Sequence, residues 1–167
     1  MTEFPPPPPD EPEAEPAARP RQGRRAGGSP AGWAQRAGAT IVDGLLFLVP
    51  NFVILQLAGQ VEAGIISTAL FAVYLVVLLG RSGQSVGNRA AGTLVVEEGG
   101  RPVNYWRAVV RWASQFVLGV PVLVAVLAGG PLLVLALIPL LDYLWPLWDR
   151  RNQTLHDKMA GTYVLIA

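Results

Sequence analysis

Two carboxylates stand inside long apolar stretches of this sequence, where an unpaired charge is costly. Asp43 lies seven residues after Arg36, so a helix places it two turns further along the same face, about 10 Å deeper. Asp142 lies six residues before Trp148 in a stretch that runs the opposite way, and so reaches a depth of about 9 Å. A carboxylate near mid-membrane costs about 2.5 to 3.5 kcal/mol to insert and usually marks a functional path. Two carboxylates at one level are typical of a cation or proton site.

The alternative for both carboxylates is structural. Each would accept hydrogen bonds from a nearby Tyr, Ser or Asn, or Arg36 would hold Asp43 through water. His156, the one histidine, has the ordinary pKa of a proton relay. It follows the last apolar stretch directly, however, and is expected to be exposed and to cap or solvate a helix.

The other residue types give no sign of an enzyme. The chain has no cysteine, which excludes disulfides and thiol chemistry, and no second ligand stands at metal spacing around His156. The serines lack a GxSxG context, and no phosphate-binding loop with its lysine is present. We therefore expect no catalysis, no metal and no cofactor.

The stretches that carry the carboxylates are long enough to cross a bilayer. Hydrophobic residues make up 51% of the 167-residue chain and charged residues only 15%, well below the quarter or so found in soluble domains. A membrane helix needs about 20 apolar residues. Four stretches supply them and are the predicted spans one to four: residues 37–58, 63–80, 106–128 and 131–148. Gly129-Gly130-Pro131 is the predicted turn between the last two.

The charge distribution predicts that both termini are cytoplasmic. With this topology all 13 Lys and Arg residues lie inside, whereas the two outer turns carry only Glu62 as a charge. Residues 1–30 are rich in proline and acids where a signal peptide would be basic and apolar, so they are expected to form a disordered cytoplasmic tail. Residues 31–167 form the predicted membrane domain, in the plasma membrane. The net charge of +1 offers no basic face for nucleic acid.

An internal repeat organises this membrane domain. A shift of 69 residues aligns residues 71–96 with 140–165 without a gap, and nine of the 26 columns are identical. The polar part of each copy reads Gln-[Ser/Thr]-apolar-x-[Asn/Asp]-[Arg/Lys]-x-Ala-Gly-Thr-x-Val. We call residues 84–95 the first repeat element and residues 153–164 the second. The repeat predicts an all-α fold of two parallel helical hairpins, related by a pseudo-two-fold axis along the membrane normal.

Each repeat element is predicted to be a short helix followed by an extended segment. Gly92 and Gly161 would end the two helices in the left-handed conformation that glycine adopts without steric cost. The extended segments, residues 94–97 and 163–166, are expected to pair as strands on the cytoplasmic side. The polar and glycine positions of the two elements form a candidate cytoplasmic motif: Gln84, Asn88, Arg89, Gly92, Thr93, Gln153, His156, Lys158, Gly161 and Thr162.

Three parts of the sequence resemble the RDD family of bacterial membrane proteins, named for one arginine and two aspartates. Residues 32–43 resemble its first-helix pattern, residues 83–96 its Gly-Gln-Thr-x-Gly-Lys segment, and residues 154–162 its C-terminal signature. The resemblance covers about residues 31–166. The sequence departs from the family pattern mildly, with Ser85 for Thr and Asn88-Arg89 for Lys-Lys or Lys-Arg.

The resemblance implies signature roles for three residues. Arg36 would be the arginine, Asp43 the first aspartate and Asp157 the second, with Asp142 and Asp149 as competing candidates for the last. It also implies a transport-related function, for which an intramembrane carboxylate would move a cation or a proton. The alternative is a non-catalytic membrane scaffold or assembly protein. The expected partners are the lipid bilayer, further copies of the chain and a protein bound through the tail.

Overall fold

The computed structural model describes residues 28–127 and 133–167. The predicted tail up to residue 27 and the predicted turn at residues 129–131 lie outside these ranges. The fold is mostly helical, with one small antiparallel sheet. The elements in chain order are α1 (Trp33–Leu57), α2 (Gln60–Ser82), α3 (Val86–Ala90), β1 (Thr93–Glu97), α4 (Tyr105–Leu127), α5 (Leu137–Leu144), α6 (Leu155–Ala160) and β2 (Thr162–Ile166).

Two of these helices, α1 and α2, are long and apolar enough to cross a membrane. Only 11% and 17% of their most apolar windows are buried within the fold, whereas the core helix of a soluble protein would be mostly buried. Large side chains such as Val49, Phe52 and Val61 are more than half exposed. An apolar surface of this extent is stable in contact with lipid and unstable in water.

Span four differs from the continuous helix that was predicted. Among the described residues, 3₁₀ turns at Leu133–Ala136 and Trp145–Leu147 flank the eight-residue helix α5. The α-helix ends at Leu144 because Pro146 has no N–H to donate and its ring clashes with the preceding turn. At about 1.5 Å per α residue and 2.0 Å per 3₁₀ residue, residues 133–147 extend for roughly 26 Å.

The predicted strand pairing is confirmed. β1 and β2 are antiparallel, and Val95 lies directly opposite Val164. These two valines are equivalent in the repeat, so a local two-fold axis between the two strands passes through their pair. The backbone of residues 29–31 bonds the outer edge of β2, where Ala31 donates to Val164 at 2.8 Å and Ile166 donates to Ser29 at 2.9 Å.

The buried core lies at the sheet and not midway along the helices. Val95 and Val164 pack with Ala31, Leu79, Val103 and Ala108, which come from the ends of α2 and α4 and from the segments that lead into α1 and α4. Helix α2 packs against both α1 and α4. This core therefore fixes one end of every long helix, and with it the position of the two repeat elements.

The two repeat elements have the same internal hydrogen bonds. Gln84 donates from Nε2 to the Thr93 carbonyl at 2.7 Å, and Gln153 donates to the Thr162 carbonyl at 2.9 Å. Gly92 and Gly161 have φ values of 62° and 63°. Gly92 follows α3 and Gly161 follows α6. Their positive φ values confirm the prediction that both glycines adopt the left-handed conformation.

Candidate functional site

Asp43 is buried in α1 and accepts three hydrogen bonds. Its Oδ1 accepts from the Tyr74 hydroxyl at 2.5 Å and from the backbone N–H of Gly87 at 2.7 Å, and its Oδ2 accepts from the Ser85 hydroxyl at 2.6 Å. Ser85 is the N-cap of α3 and Gly87 is its second residue. The carboxylate thus joins the first long helix to the first repeat element.

Gly87 is required for this contact because α3 lies directly against α1. A Cβ at residue 87 would overlap the carbonyl oxygen of Ala39 and come within 2.8 Å of Asp43 Cγ. Only the absence of a side chain lets the N–H approach the carboxylate so closely.

Asp142 makes the corresponding contact in the second half of the chain. It is 1% exposed, and its Oδ1 accepts from the backbone N–H of His156 at 2.9 Å. Its Oδ2 lies 2.6 Å from His156 Nδ1. His156 is the second residue of α6, whose N-cap is Thr154. Both buried carboxylates, Asp43 and Asp142, therefore bind the second backbone N–H of a short helix.

The expectation that His156 is exposed is wrong. The residue is only 2% exposed, because α6 folds back so that its first turn meets Asp142 on α5. Burial lowers the pKa of His156 to about 4; the positive charge of Arg111 acts in the same direction, against the Asp142 carboxylate, which raises it. The imidazole is thus neutral at pH 7, and its Nδ1–H donates to Asp142.

Arg36 and Arg111 converge on the buried carboxylate of Asp157. Arg36 Nη1 lies 2.5 Å from Asp157 Oδ2, and Arg111 Nη1 contacts Asp157 Oδ1. The Asp157 side chain has no exposed surface. Within the described ranges, then, the partner of Arg36 is Asp157 and not Asp43. This contact favours Asp157 as the second signature aspartate, which remains a prediction.

The charges of the cluster around Asp157 balance. With His156 neutral, two guanidinium groups face two carboxylates: Arg36 and Arg111 against Asp142 and Asp157. The third candidate, Asp149, lies apart with its Oδ1 at 2.5 Å from Lys158 Nζ. Burial alone would raise the pKa of Asp149, but hydrogen bonds from Lys158 and two backbone N–H groups lower it below its ordinary value.

The other motif residues form hydrogen bonds within the repeat elements or directly next to them. The Thr93 hydroxyl donates to Asn88 Oδ1 at 3.2 Å, and the Thr162 hydroxyl donates to Asp157 Oδ1 at 3.5 Å. Arg89 donates to the Ser82 hydroxyl at the surface. Across residues 28–127 and 133–167, no group of three or more His, Asp or Glu side chains could hold a metal ion.

A cavity of about 440 Å³ connects the two carboxylate regions, between α1, α2 and α4. Its wall includes Asp43 and Ser85 from the first region and Arg36, Arg111 and His156 from the second. Further along the helices, other polar groups continue the wall: Asn51, Ser67, Thr68 and Gln115.

The sequence indicated Tyr, Ser or Asn as possible partners of the two carboxylates, but it did not identify four of the contributing residues. Tyr74 and Ser85 complete the Asp43 site, Arg111 shares Asp157, and Gln115 Nε2 donates to the Tyr143 hydroxyl at 3.4 Å. The repeat offered a signal for Tyr74, which aligns with Tyr143. Gln115 is the eleventh residue of α4 as Asp43 is of α1, so each half places a polar side chain against its repeat tyrosine.

The comparisons with known proteins give one result. The model of the RDD family matches residues 30–161, which agrees with the resemblance found over about residues 31–166. No curated protein and no solved structure gives a significant match.

Proposed function

Because the chain belongs to the RDD family, we propose that it is an integral membrane protein that moves a proton or a small cation, with Asp43 as the carrier. The observation that supports this most is the cavity, whose wall includes Asp43 and several other polar side chains. Its wall follows α1 from Trp33 to Asn51, which at 1.5 Å per residue is about 27 Å. That length is close to the roughly 30 Å of the hydrocarbon core.

The surroundings of Asp43 suit a carrier that is held in place. A carboxylate offers about four lone-pair positions, and Tyr74, Ser85 and Gly87 occupy three. The group faces the cavity with one position left for a proton or cation. An unneutralised carboxylate at this depth attracts positive charge strongly, because the low dielectric weakens screening.

The proposal includes four spans, with both termini on the cytoplasmic side of the plasma membrane. α4 supplies span three, and residues 133–147 lie within span four. The positive-inside distribution supports this topology. Few helices surround the cavity, so we propose a dimer or larger oligomer, with the proline-rich tail open to a protein partner. The mechanism involves no covalent step and no cofactor, so the chain is not an enzyme.

Flux measurements on reconstituted protein test the proposal. Vesicles holding a proton-sensitive dye are given Na⁺, K⁺ or H⁺ gradients, and wild-type protein is expected to dissipate at least one of them. Asp43→Asn keeps the size of the side chain and removes its charge, so flux should fall at least tenfold. Asp149→Asn removes a carboxylate outside the cavity and should leave flux unchanged. Equal flux in Asp43→Asn and wild type would exclude Asp43 as the carrier.

A membrane scaffold is the second candidate, and one observation favours it. Asp43 and Asp142 both bind the N-terminus of a short helix, as purely structural clamps would. A scaffold should be impermeable to ions and should crosslink to a stoichiometric partner. Loss of that partner on deletion of residues 1–30, with no flux in any gradient, would favour the scaffold.

A further inference from the structure

One face of α2 is apolar and exposed, and it ends in an arginine. Leu70, Val73, Val77 and Arg81 follow one another at spacings of three or four residues, which places them on the same side of the helix. All four are exposed. From Leu70 to Arg81 the helix rises about 16 Å, close to the hydrocarbon thickness of one leaflet, which is half of roughly 30 Å. Arg81 therefore lies where acyl chains give way to headgroups.

Arg89 brings a second positive charge to the same end of α2. It lies in the last turn of α3, is exposed, and its Nη2 donates to the Ser82 hydroxyl at 3.2 Å. Ser82 follows Arg81 directly in the chain. The ring of Tyr105 packs on Gly80 and is about half exposed, as is common for aromatic residues at the headgroup level.

These two arginines have no acidic partner in the part of the chain that the structure describes. No carboxylate of residues 28–127 or 133–167 forms an ion pair with Arg81 or Arg89. In the second repeat element the equivalent of Arg89 is Lys158, whose Nζ lies 2.5 Å from Asp149 Oδ1. A guanidinium group matches the geometry of a phosphate and can donate two parallel hydrogen bonds to it.

The second half of the chain lacks the equivalent apolar face. With the shift of 69 residues, Val73 corresponds to Asp142 and Val77 to Pro146. Asp142 and Pro146 are buried, whereas Val73 is 61% exposed. The combination of an exposed apolar face with two unneutralised arginines thus belongs to the first half alone among the described residues.

We propose that this face of α2 binds one anionic phospholipid of the cytoplasmic leaflet. Its phosphate lies between Arg81 and Arg89, and an acyl chain runs along Val77, Val73 and Leu70. The apolar face distinguishes a phospholipid from free phosphate, and the two positive charges favour an anionic headgroup over choline, which is itself positive. This inference rests on the proposed insertion and orientation of α2 in the membrane, but not on ion movement.

Native mass spectrometry of the full chain measures the binding. The protein in neutral detergent receives equal amounts of phosphatidylglycerol and phosphatidylcholine with identical acyl chains, and the retained lipids are counted. The wild type should retain one phosphatidylglycerol in preference to phosphatidylcholine. The preference should weaken as sodium chloride is added, because salt screens exposed charges. Glycerol phosphate, which has the phosphate without acyl chains, should not displace the lipid at equal concentration.

Variants of the two repeat elements locate the site. Arg81→Gln with Arg89→Gln removes both charges and should lower the preference for phosphatidylglycerol about tenfold. Arg150→Gln with Lys158→Gln, at the equivalent positions, is the matched control and should leave the preference unchanged. Arg81→Gln alone keeps the bond from Arg89 to Ser82 and should lower the preference several-fold. The single variant decides the matter if the melting temperature shows that the first double variant does not fold.

Four outcomes would overturn the proposal: no preference for phosphatidylglycerol in the wild type, equal losses in the two double variants, wild-type preference in a deciding Arg81→Gln, or displacement of the lipid by glycerol phosphate. Ion flux is measured separately in vesicles of phosphatidylcholine. A wild type that moves no ion but prefers phosphatidylglycerol contradicts the transport proposal and supports this one.

Discussion

The two repeat elements share a backbone and differ in their charge. Both begin with a glutamine that bonds the carbonyl of a threonine nine residues later, and both bind a buried carboxylate of another helix at the second residue of a short helix. In the first element that second residue is Gly87, followed by neutral Asn88. In the second it is His156, followed by Asp157.

The differences at these two positions, Gly87 against His156 and Asn88 against Asp157, determine which groups each element binds. Glycine lets α3 lie against α1, so the first element orders a single carboxylate. Histidine and aspartate in the second element add two ionisable groups, and two arginines from different helices are buried with them. The same duplicated element thus binds a single carboxylate in the first half of the chain and belongs to a buried charge cluster in the second.

The largest effect is expected from removing the charge at the centre of the cluster. Asp157→Asn would leave Arg36 and Arg111 buried without their shared carboxylate, and losing one partner of a buried pair costs about 3 to 5 kcal/mol. Asn88→Ala, at the equivalent neutral position, should cost much less. Thermal unfolding in detergent compares the two, and equal losses would show that the elements do not differ in charge dependence.

Acid should destabilise the second element selectively. The pKa of His156 is about 4 in the folded protein against 6.5 ordinarily, so below pH 6.5 the unfolded chain binds a proton that the folded chain does not. The free energy of unfolding should therefore fall as the pH drops from 6.5 to 4, by up to about 3 kcal/mol. In His156→Gln the curve of melting temperature against pH should be flatter over this range; a curve of unchanged slope would contradict the assignment.

A methyl group added to the first element should disturb its contact with α1. In Gly87→Ala the new Cβ would meet the Ala39 carbonyl, and such overpacking costs about 2 kcal/mol. Gly64→Ala is the control, because a Cβ at Gly64 in α2 would meet nothing within 4 Å. The melting temperature should fall only in the first variant. An unchanged melting temperature in Gly87→Ala would mean that α3 moves freely away from α1.

The smallest of the expected effects is the difference in unfolding free energy between variants of the two equivalent tyrosines, Tyr74 and Tyr143. Tyr74→Phe removes a 2.5 Å hydrogen bond to a carboxylate, worth about 1.5 kcal/mol or more. Tyr143→Phe removes a 3.4 Å contact with the neutral Gln115 amide, worth about 0.5 kcal/mol. Chemical denaturation gives both values, and a greater loss in Tyr143→Phe would reverse the comparison.

The sequence was most informative where the repeat preserved polar residues. Gly92, Gly161 and the β1–β2 pairing followed from those columns, because turn glycines and extended segments depend on local chemistry. Burial of His156 could not be predicted, since it arises from α6 packing under α5. The interruption of span four also escaped, although Pro146 marked the place where an α-helix had to end.

The pairing of Val95 with Val164 also limits how the two halves of the molecule can move. Equivalent residues meet there, so a slip of one residue would break the symmetry of the sheet and expose one valine. The sheet therefore holds the two repeat elements together. If the cavity widens, the widening should increase with distance from the sheet.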